Sequence, residues 1–218
     1  VMKYMYEIGY AETIFAWDVV NEAIEVGTNE YNMRDSYWYK TIGPDFMYYA
    51  FKYTKDAVVK YSNEYATLYG IDSNNAEALE KIQPELFYND YNEYQPEKRD
   101  AIIGALQREF NGHSIIGDGL IDGIGMQAHL SDNTDINLFC EALRKFDEVV
   151  DEVHITELDV IRTSTGVNAD YYQAVFYKNL FNALINEVDK GANLTSVTIW
   201  GLTDDNSWKK ESFPLLFN

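Results

Sequence analysis

Two glutamates in this chain have surroundings suited to chemistry. Glu22 closes the stretch Trp17-Asp18-Val19-Val20-Asn21-Glu22, and Glu157 sits in Ile155-Thr156-Glu157-Leu158-Asp159. Each follows a short β-branched run, so each is expected at the end of a strand. Two carboxylates facing each other across a cleft are the minimum equipment for hydrolysing a glycosidic bond. At a separation of about 5–5.5 Å one of them attacks the anomeric carbon and configuration is retained; at a wider spacing the mechanism inverts. One carboxyl must carry a proton for the leaving group and the other must be ionised, a division set by environment. The apolar run before Asn21 and Glu22 is a setting that raises a carboxyl pKa by desolvation. His129 is a candidate hydrogen-bond donor to Glu157, and Asp159 a candidate orienter of that imidazole; together they favour an ionised Glu157.

Each of these residues also has a plainer explanation. A lone glutamate is usually a solvated surface charge, and a lone histidine usually a satisfied structural one. The strand-end position and the pairing shift the balance towards a site. His154 lies three residues before Glu157, on the opposite strand face, and reads as structural. His113, His129 and His154 lack ligand-like spacing and there is one cysteine, so no metal site is expected. No Gly-x-Ser-x-Gly elbow is present, and Gly117-Asp118-Gly119 lacks the rest of a dinucleotide fingerprint. Trp200 and Trp208 suit a core or a site equally well on composition, but Trp208 follows the polar run Asp204-Asp205-Asn206-Ser207, where a core role is less natural.

Positioning such residues requires strands, and five apolar runs of strand length recur. They are Thr13 to Val20, Leu86-Phe87-Tyr88, Leu120 to Met126, Val153-His154-Ile155-Thr156 and Ser196 to Trp200. Helical stripes separate them. Phe46, Tyr49, Ala50, Tyr53, Ala57 and Val58 share one face; Ile102, Ile103, Leu106 and Phe110 follow Pro96, which suits a first helical position. Ile136, Phe139, Cys140, Leu143 and Phe146 form a third stripe, and Tyr172, Val175, Phe176, Leu180, Leu184 and Val188 a fourth. Asp72 to Glu80 is the most loop-like stretch. Alternating strands and helices imply an α/β fold with parallel pairing and right-handed crossovers. Every strand ends in residues suited to a site: Asn21-Glu22, Asn89-Asp90, Gln127 to His129, Glu157 to Asp159, and Trp200. A (β/α)8 barrel collects chemistry at all such ends, whereas a doubly wound sheet uses one or two around its switch point. The barrel is therefore favoured, with this chain supplying about five of its eight strands.

Composition narrows the partners. Net charge is −19, which argues against nucleic acid and anionic membranes. Aromatics make up 15% of 218 residues, including 18 Tyr and 4 Trp, more than a core alone needs and suited to the apolar C–H faces of sugar rings. No run of 18 apolar residues is present to span a membrane. Cys140, the single cysteine, excludes an internal disulfide and reads as an inert core thiol among Leu138, Phe139 and Leu143. Asn193-Leu194-Thr195 is read as a chance sequon, and no signal peptide is seen at Val1.

Taken together, the strand-end segments resemble glycoside hydrolase family 10, the endo-β-1,4-xylanases. The stretches that carry the resemblance are Trp17 to Glu22, Tyr88-Asn89-Asp90-Tyr91-Asn92, Asp122 to His129, Ile155 to Asp159 and Thr198 to Trp208, in family order. The resemblance implies a retaining xylanase on a (β/α)8 barrel, with Glu22 as general acid/base and Glu157 as nucleophile. It implies that Asn21 holds the 2-hydroxyl of the sugar being cleaved and that His129 contacts Glu157 with Asp159 behind it. Gln127, Trp200 and Trp208 would line the site around the reacting sugar, and Tyr91 would border the leaving-group side. Xylan or xylo-oligosaccharides are the implied partners, no cofactor is implied, and a polymeric substrate makes a secreted or cell-surface location the expectation.

The chain also departs from the family pattern. The family's barrel opens with three strands that supply a lysine, a histidine, a tryptophan and polar residues, and these are not found here. Val1 to Gly9 reads as the end of the helix before the fourth strand, and Phe213-Pro214-Leu215-Leu216-Phe217 as the loop before the last helix. Residues 1–218 are thus expected to be a partial catalytic domain, strands four to eight. Three arrangements fit: a fragment, a first part on another polypeptide, or an inserted carbohydrate-binding module between the two parts. Two alternatives stand beside the xylanase: a non-catalytic fragment that needs its N-terminal part, with exposed sheet edges, and a β-1,4-glucan-active relative.

Overall fold

The computed structural model describes residues 1–217. The chain begins with α1 (Met2–Glu7) and β1 (Ala16–Asn21), followed by α2 (Tyr37–Ile42), α3 (Phe46–Tyr65) and α4 (Ala76–Glu80). Then come β2 (Glu85–Asp90), α5 (Pro96–Gln107), β3 (Gly123–Met126), β4 (His129–Ser131) and α6 (Ile136–Asp147). β5 (Glu152–Ile161), α7 (Ala169–Asp189) and β6 (Leu194–Ile199) complete the regular elements.

Local chemistry sets these boundaries. Pro96 occupies the first turn of α5, where its missing N–H costs nothing. The Ser36, Asn75 and Asp135 side chains accept from the Tyr39, Ala78 and Asn137 amides and so cap α2, α4 and α6. The Asn75 cap corrects the reading of Asp72 to Glu80 as loop, since it nucleates α4 within that stretch.

All strand pairings are parallel, and the order β1-β2-β3-β5-β6 follows the chain. That is the order of successive barrel staves, with no reversal of the kind that marks a doubly wound sheet. Six strand segments stand where five were expected, because the third stave is broken. β3 and β4 both pair with β5, separated by Gln127 and by Ala128 in the left-handed region at φ 60°. β5 runs 10 residues, longer than the four expected, because it carries both partners.

The core lies between the central strands and the helices. Leu86 to Asp90 of β2 and all of β3 are buried, and Phe139, Leu143 and Phe146 of α6, with no exposure, belong to the same core cluster. Burying each such side chain contributes roughly 1.5–3 kcal/mol. Cys140 is a free, buried thiol. The outer strands differ: β1 pairs with β2 alone and β6 with β5 alone among the described residues; β6 has no buried residue and β1 only Val20. Among the described residues no helix is long and apolar enough to cross a membrane.

Candidate active site

The C-terminal strand ends meet around a cavity of about 620 Å³, lined among others by Glu22, Arg34, Tyr91, Gln127, His129, Glu157, Asp159, Trp200 and Trp208. Asn21 adjoins it through its side-chain oxygen, which accepts from Gln127 Nε2 at 3.1 Å and Asn89 Nδ2 at 3.0 Å. All nine residues singled out from sequence therefore lie in one constellation.

Glu22 leaves β1 with φ 54°, a left-handed conformation that costs a non-glycine residue of order 1–3 kcal/mol and persists only where neighbours enforce it. The enforcement is visible. The Glu22 amide donates to Asn89 O at 2.8 Å, and the next two amides, of Ala23 and Ile24, donate to the buried Tyr88 hydroxyl at 3.0 and 3.2 Å. Tyr88 in turn donates to Asp90, whose other oxygen lies 2.8 Å from Lys98 Nζ. Burial pushes the Asp90 carboxyl up; the Lys98 ammonium pulls in the other direction. The Glu22 carboxylate is held on both oxygens: Arg34 Nη1 donates to Oε2 at 2.8 Å and Gln127 Nε2 to Oε1 at 3.2 Å. This is not the apolar setting expected from the preceding residues. The strand is apolar, but its end opens onto a cavity where an arginine from the following loop waits.

Glu157 projects from the middle of β5, and its side chain is 14% exposed. Its Oε1 accepts from Asn89 Nδ2 at 2.9 Å, and its Oε2 faces His129 Nε2 at 3.3 Å. His129 Nδ1 is 3.0 Å from Asp159 Oδ1, while Asp159 Oδ2 accepts from Trp208 Nε1 at 2.7 Å. The Trp208 ring packs edge-on against His129 at 4.9 Å. Burial lowers the pKa of His129, but Asp159 and then Glu157 outweigh it and hold the imidazole above its ordinary range. Desolvation and the nearby charge of Glu157 push Asp18 up. Trp200 and Trp208, 46% and 58% exposed, line the cavity, and Lys209 Nζ lies 4.3 Å from the Trp208 ring centre. Tyr91 receives Arg34 Nη2 on its hydroxyl at 3.3 Å, and Lys98 Nζ lies 4.4 Å from its ring centre.

The sequence points to Asn89 only as a strand-end residue without a role, and not to Arg34 at all. Asn89 bridges the two halves, donating to Asn21 and Glu157 while its Oδ1 accepts from Thr156 at 2.6 Å. Its place at a strand end was the available signal. Gly125 makes room for it, since a Cβ there would lie 2.4 Å from Asn89 Oδ1. Arg34 sits in an irregular loop, where no periodicity could point inward. His154 lies away from the site, stacked on Phe87 at 4.2 Å. Among the described residues no group of three or more His, Cys, Asp or Glu is placed to hold a metal ion.

Residues 3–218 match the model of a family described as Glycosyl hydrolase family 10. The chain is 38% identical over 222 residues to endo-1,4-beta-xylanase A of Thermotoga neapolitana, covering 94% of this chain and 17% of that protein. It is 34% identical over 218 residues to endo-1,4-beta-xylanase B of Butyrivibrio fibrisolvens, covering 97% of this chain and 29% of the relative. Among solved structures, a psychrophilic family 10 endo-beta-1,4-xylanase superposes with a TM-score of 0.76 at 29% identity, covering 99% of this chain and 60% of the other. An intracellular xylanase from Thermoanaerobacterium saccharolyticum, solved as a glutamate-to-alanine mutant with xylotriose, gives 0.74 at 29% identity, covering 99% and 59%. The chain thus spans well under a third of these two sequence relatives and about three fifths of these folded domains.

Proposed function

The chain belongs to glycosyl hydrolase family 10, and from that premise we propose that it supplies the catalytic half of a retaining endo-β-1,4-xylanase barrel. The observation that carries this reading is a pair of glutamates on one cavity, each gripped by different partners. Arg34 and Gln127 hold Glu22; Asn89 and His129 hold Glu157. Separate grips keep two carboxyls apart and able to take different roles.

In this mechanism Glu157 is the nucleophile. Its carboxylate attacks the anomeric carbon while Glu22 gives its proton to the glycosidic oxygen, so the C–O bond to the leaving sugar breaks as the glycosyl–enzyme bond forms. Glu22, now ionised, takes a proton from water; that water attacks the same carbon and releases Glu157. Asn21 is positioned for the 2-hydroxyl of the reacting sugar, and Trp200 and Trp208 offer faces for its C–H surface. The Tyr91 side receives the leaving group. His129, fixed by Asp159, and Asn89 donate to the ionised nucleophile. Relatives described as xylanases, one of them bound to xylotriose, support xylan or xylo-oligosaccharides as substrate.

The half-exposed β1 and β6, each paired on one side among the described residues, support a second element of the reading. Residues 1–218 form part of a barrel domain, and further strands cover these edges in the active protein. Release from xylan of new reducing ends with retained anomeric configuration, abolished by Glu157→Gln, is the expected result for the full-length polypeptide. Inverted product, or hydrolysis that survives Glu157→Gln, would overturn the mechanism. Faster turnover of cellulose than of xylan would move the substrate to β-1,4-glucan. The 218-residue chain assayed alone is expected to be inactive until the remaining strands are supplied.

A further inference from the structure

The break in the third stave is the point where both glutamates are set. Gln127 reaches Glu22 and Asn21; His129, two residues on, reaches Glu157 and Asp159. Between them stands Ala128, at φ 60°. Around it most backbone groups still pair. The Gln127 amide donates to Asp90 O at 2.9 Å, Gln127 O accepts from the Glu157 amide at 3.0 Å, and Ala128 O accepts from the Asp159 amide at 3.3 Å. The Ala128 amide is turned out of the ladder. A buried N–H without an acceptor costs about 1–3 kcal/mol, and a left-handed alanine adds to that, so something must hold it.

Glu93 holds it. It lies just past the end of β2, directly after Asn92 at φ 54°, and is 0% exposed. Its Oε1 accepts from the Ala128 amide at 3.2 Å, and its Oε2 has no hydrogen-bond partner among the described residues. We propose that Glu93 is a positioning residue whose buried carboxyl fixes the Ala128 amide and thereby sets Gln127 against Glu22 and His129 against Glu157 together. The inference rests on the catalytic roles assigned above. Burial pushes the Glu93 carboxyl up to about 8, so at neutral pH it serves mainly as a neutral acceptor. An acceptor can be replaced by an amide; a charge cannot.

The test compares E93Q, E93L and E93D in the full-length polypeptide. E93Q keeps an acceptor oxygen of the same reach and is expected to retain wild-type kcat. E93L removes the acceptor, and E93D, one methylene shorter, withdraws it while staying soluble if the leucine variant does not fold. Both should lose kcat, by about 10²-fold for a displacement near 1 Å, with KM little changed. The loss should be the same on xylan and on an aryl β-xyloside whose leaving group needs no proton, because both glutamates are displaced. A residue that merely fills the core would lower Tm without this split. Hydrogen exchange of the Ala128 amide supplies a readout independent of activity: slow in wild type and E93Q, fast in E93L and E93D. Wild-type kcat in E93L or E93D, a collapse of kcat in E93Q, or unchanged Ala128 protection across the series would overturn the proposal. An inactive wild-type protein would instead overturn the functional reading, and the exchange data would still decide the Glu93 contact.

Discussion

The sheet carries a pair of glutamates at each end, and the two pairs behave differently. Glu22 and Glu157 face one cavity at the C-terminal side, and each is bound by its own donors. Glu85 and Glu152 are the first residues of β2 and β5, at the opposite side. Their side chains adjoin each other. Interaction with Glu152, then partial desolvation and the negative charges of Glu152, Asp122 and Asp151, pushes Glu85 up to about 8. Burial opposes ionisation of Glu152, but the adjoining Glu85, the hydrogen bond from the Thr195 hydroxyl and the nearness of His154 hold it below its usual range. Side by side, two carboxyls oppose each other's ionisation, and one keeps its proton. Separated by amides, an arginine and an imidazole, and opened to a cavity, they are free to act on something else.

The comparison breaks most sharply at the nucleophile. Glu157→Gln is expected to cut kcat on xylan by about 10⁴-fold or more, a loss of the size that removing a covalent nucleophile produces. Glu22→Ala is expected to lose about 10²–10⁴-fold on xylan and much less on an aryl xyloside with a good leaving group. Equal losses on the two substrates would remove Glu22 from the acid role. A smaller effect is expected one contact further out. Trp208→Phe keeps an aromatic face but deletes the N–H that Asp159 accepts at 2.7 Å. A hydrogen bond to a charged acceptor contributes about 1.5–3 kcal/mol, so kcat/KM should fall by about 10- to 100-fold. Unchanged kcat/KM would mean that the His129–Asp159 pair does not depend on the indole.

Much of this was legible in the sequence because it is written locally. Periodicity located β1, β2, β5 and β6 and helices α3, α5, α6 and α7; the strand ends named seven of the nine residues that the fold gathers, and the family resemblance added Tyr91 and Trp208. What escaped is what depends on long-range geometry or backbone strain. Arg34 reaches Glu22 from a loop 12 residues away in sequence, with no pattern to aim it. The split of the third stave hinges on the backbone angle of Ala128, and nothing in an alanine's identity announces φ 60°. Glu93 stands two residues past a recognised motif residue, but a glutamate beside Asn92 and Tyr94 reads as solvated until its full burial is seen. The lower pair was invisible for the same reason. Glu85 and Glu152 each begin a strand as ordinary charges, and only the sheet brings them together.

The smallest expected effect sharpens the contrast from the lower side. Glu85 holds its proton up to about 8 in the folded chain, whereas an ordinary glutamate releases it near 4.5. Between those values the folded state binds a proton that the unfolded state has lost. The corresponding stability is complete below the ordinary range and disappears as pH rises through about 8. Glu93 acts in the same sense. His129, raised chiefly by Asp159 against the pull of burial, also gives up stability as pH rises past its ordinary range. His154 opposes them: burial lowers its pKa, so its contribution is present above about 6.5 and lost as pH falls. With two carboxyls and one imidazole against one imidazole, Tm of the full-length polypeptide should decline between pH 6 and pH 8.5. Glu85→Gln replaces the titrating carboxyl beside Glu152 with a neutral amide. It should leave Tm at pH 6 nearly unchanged and raise it at pH 8.5 by about a degree or two, a small gain because Glu85 is exposed and its interactions are screened. Activity at the far end of the sheet should not change. A flat or rising Tm from pH 6 to pH 8.5 in the wild-type protein, or a loss of kcat in Glu85→Gln, would mean that the two pairs are not divided as their contacts indicate.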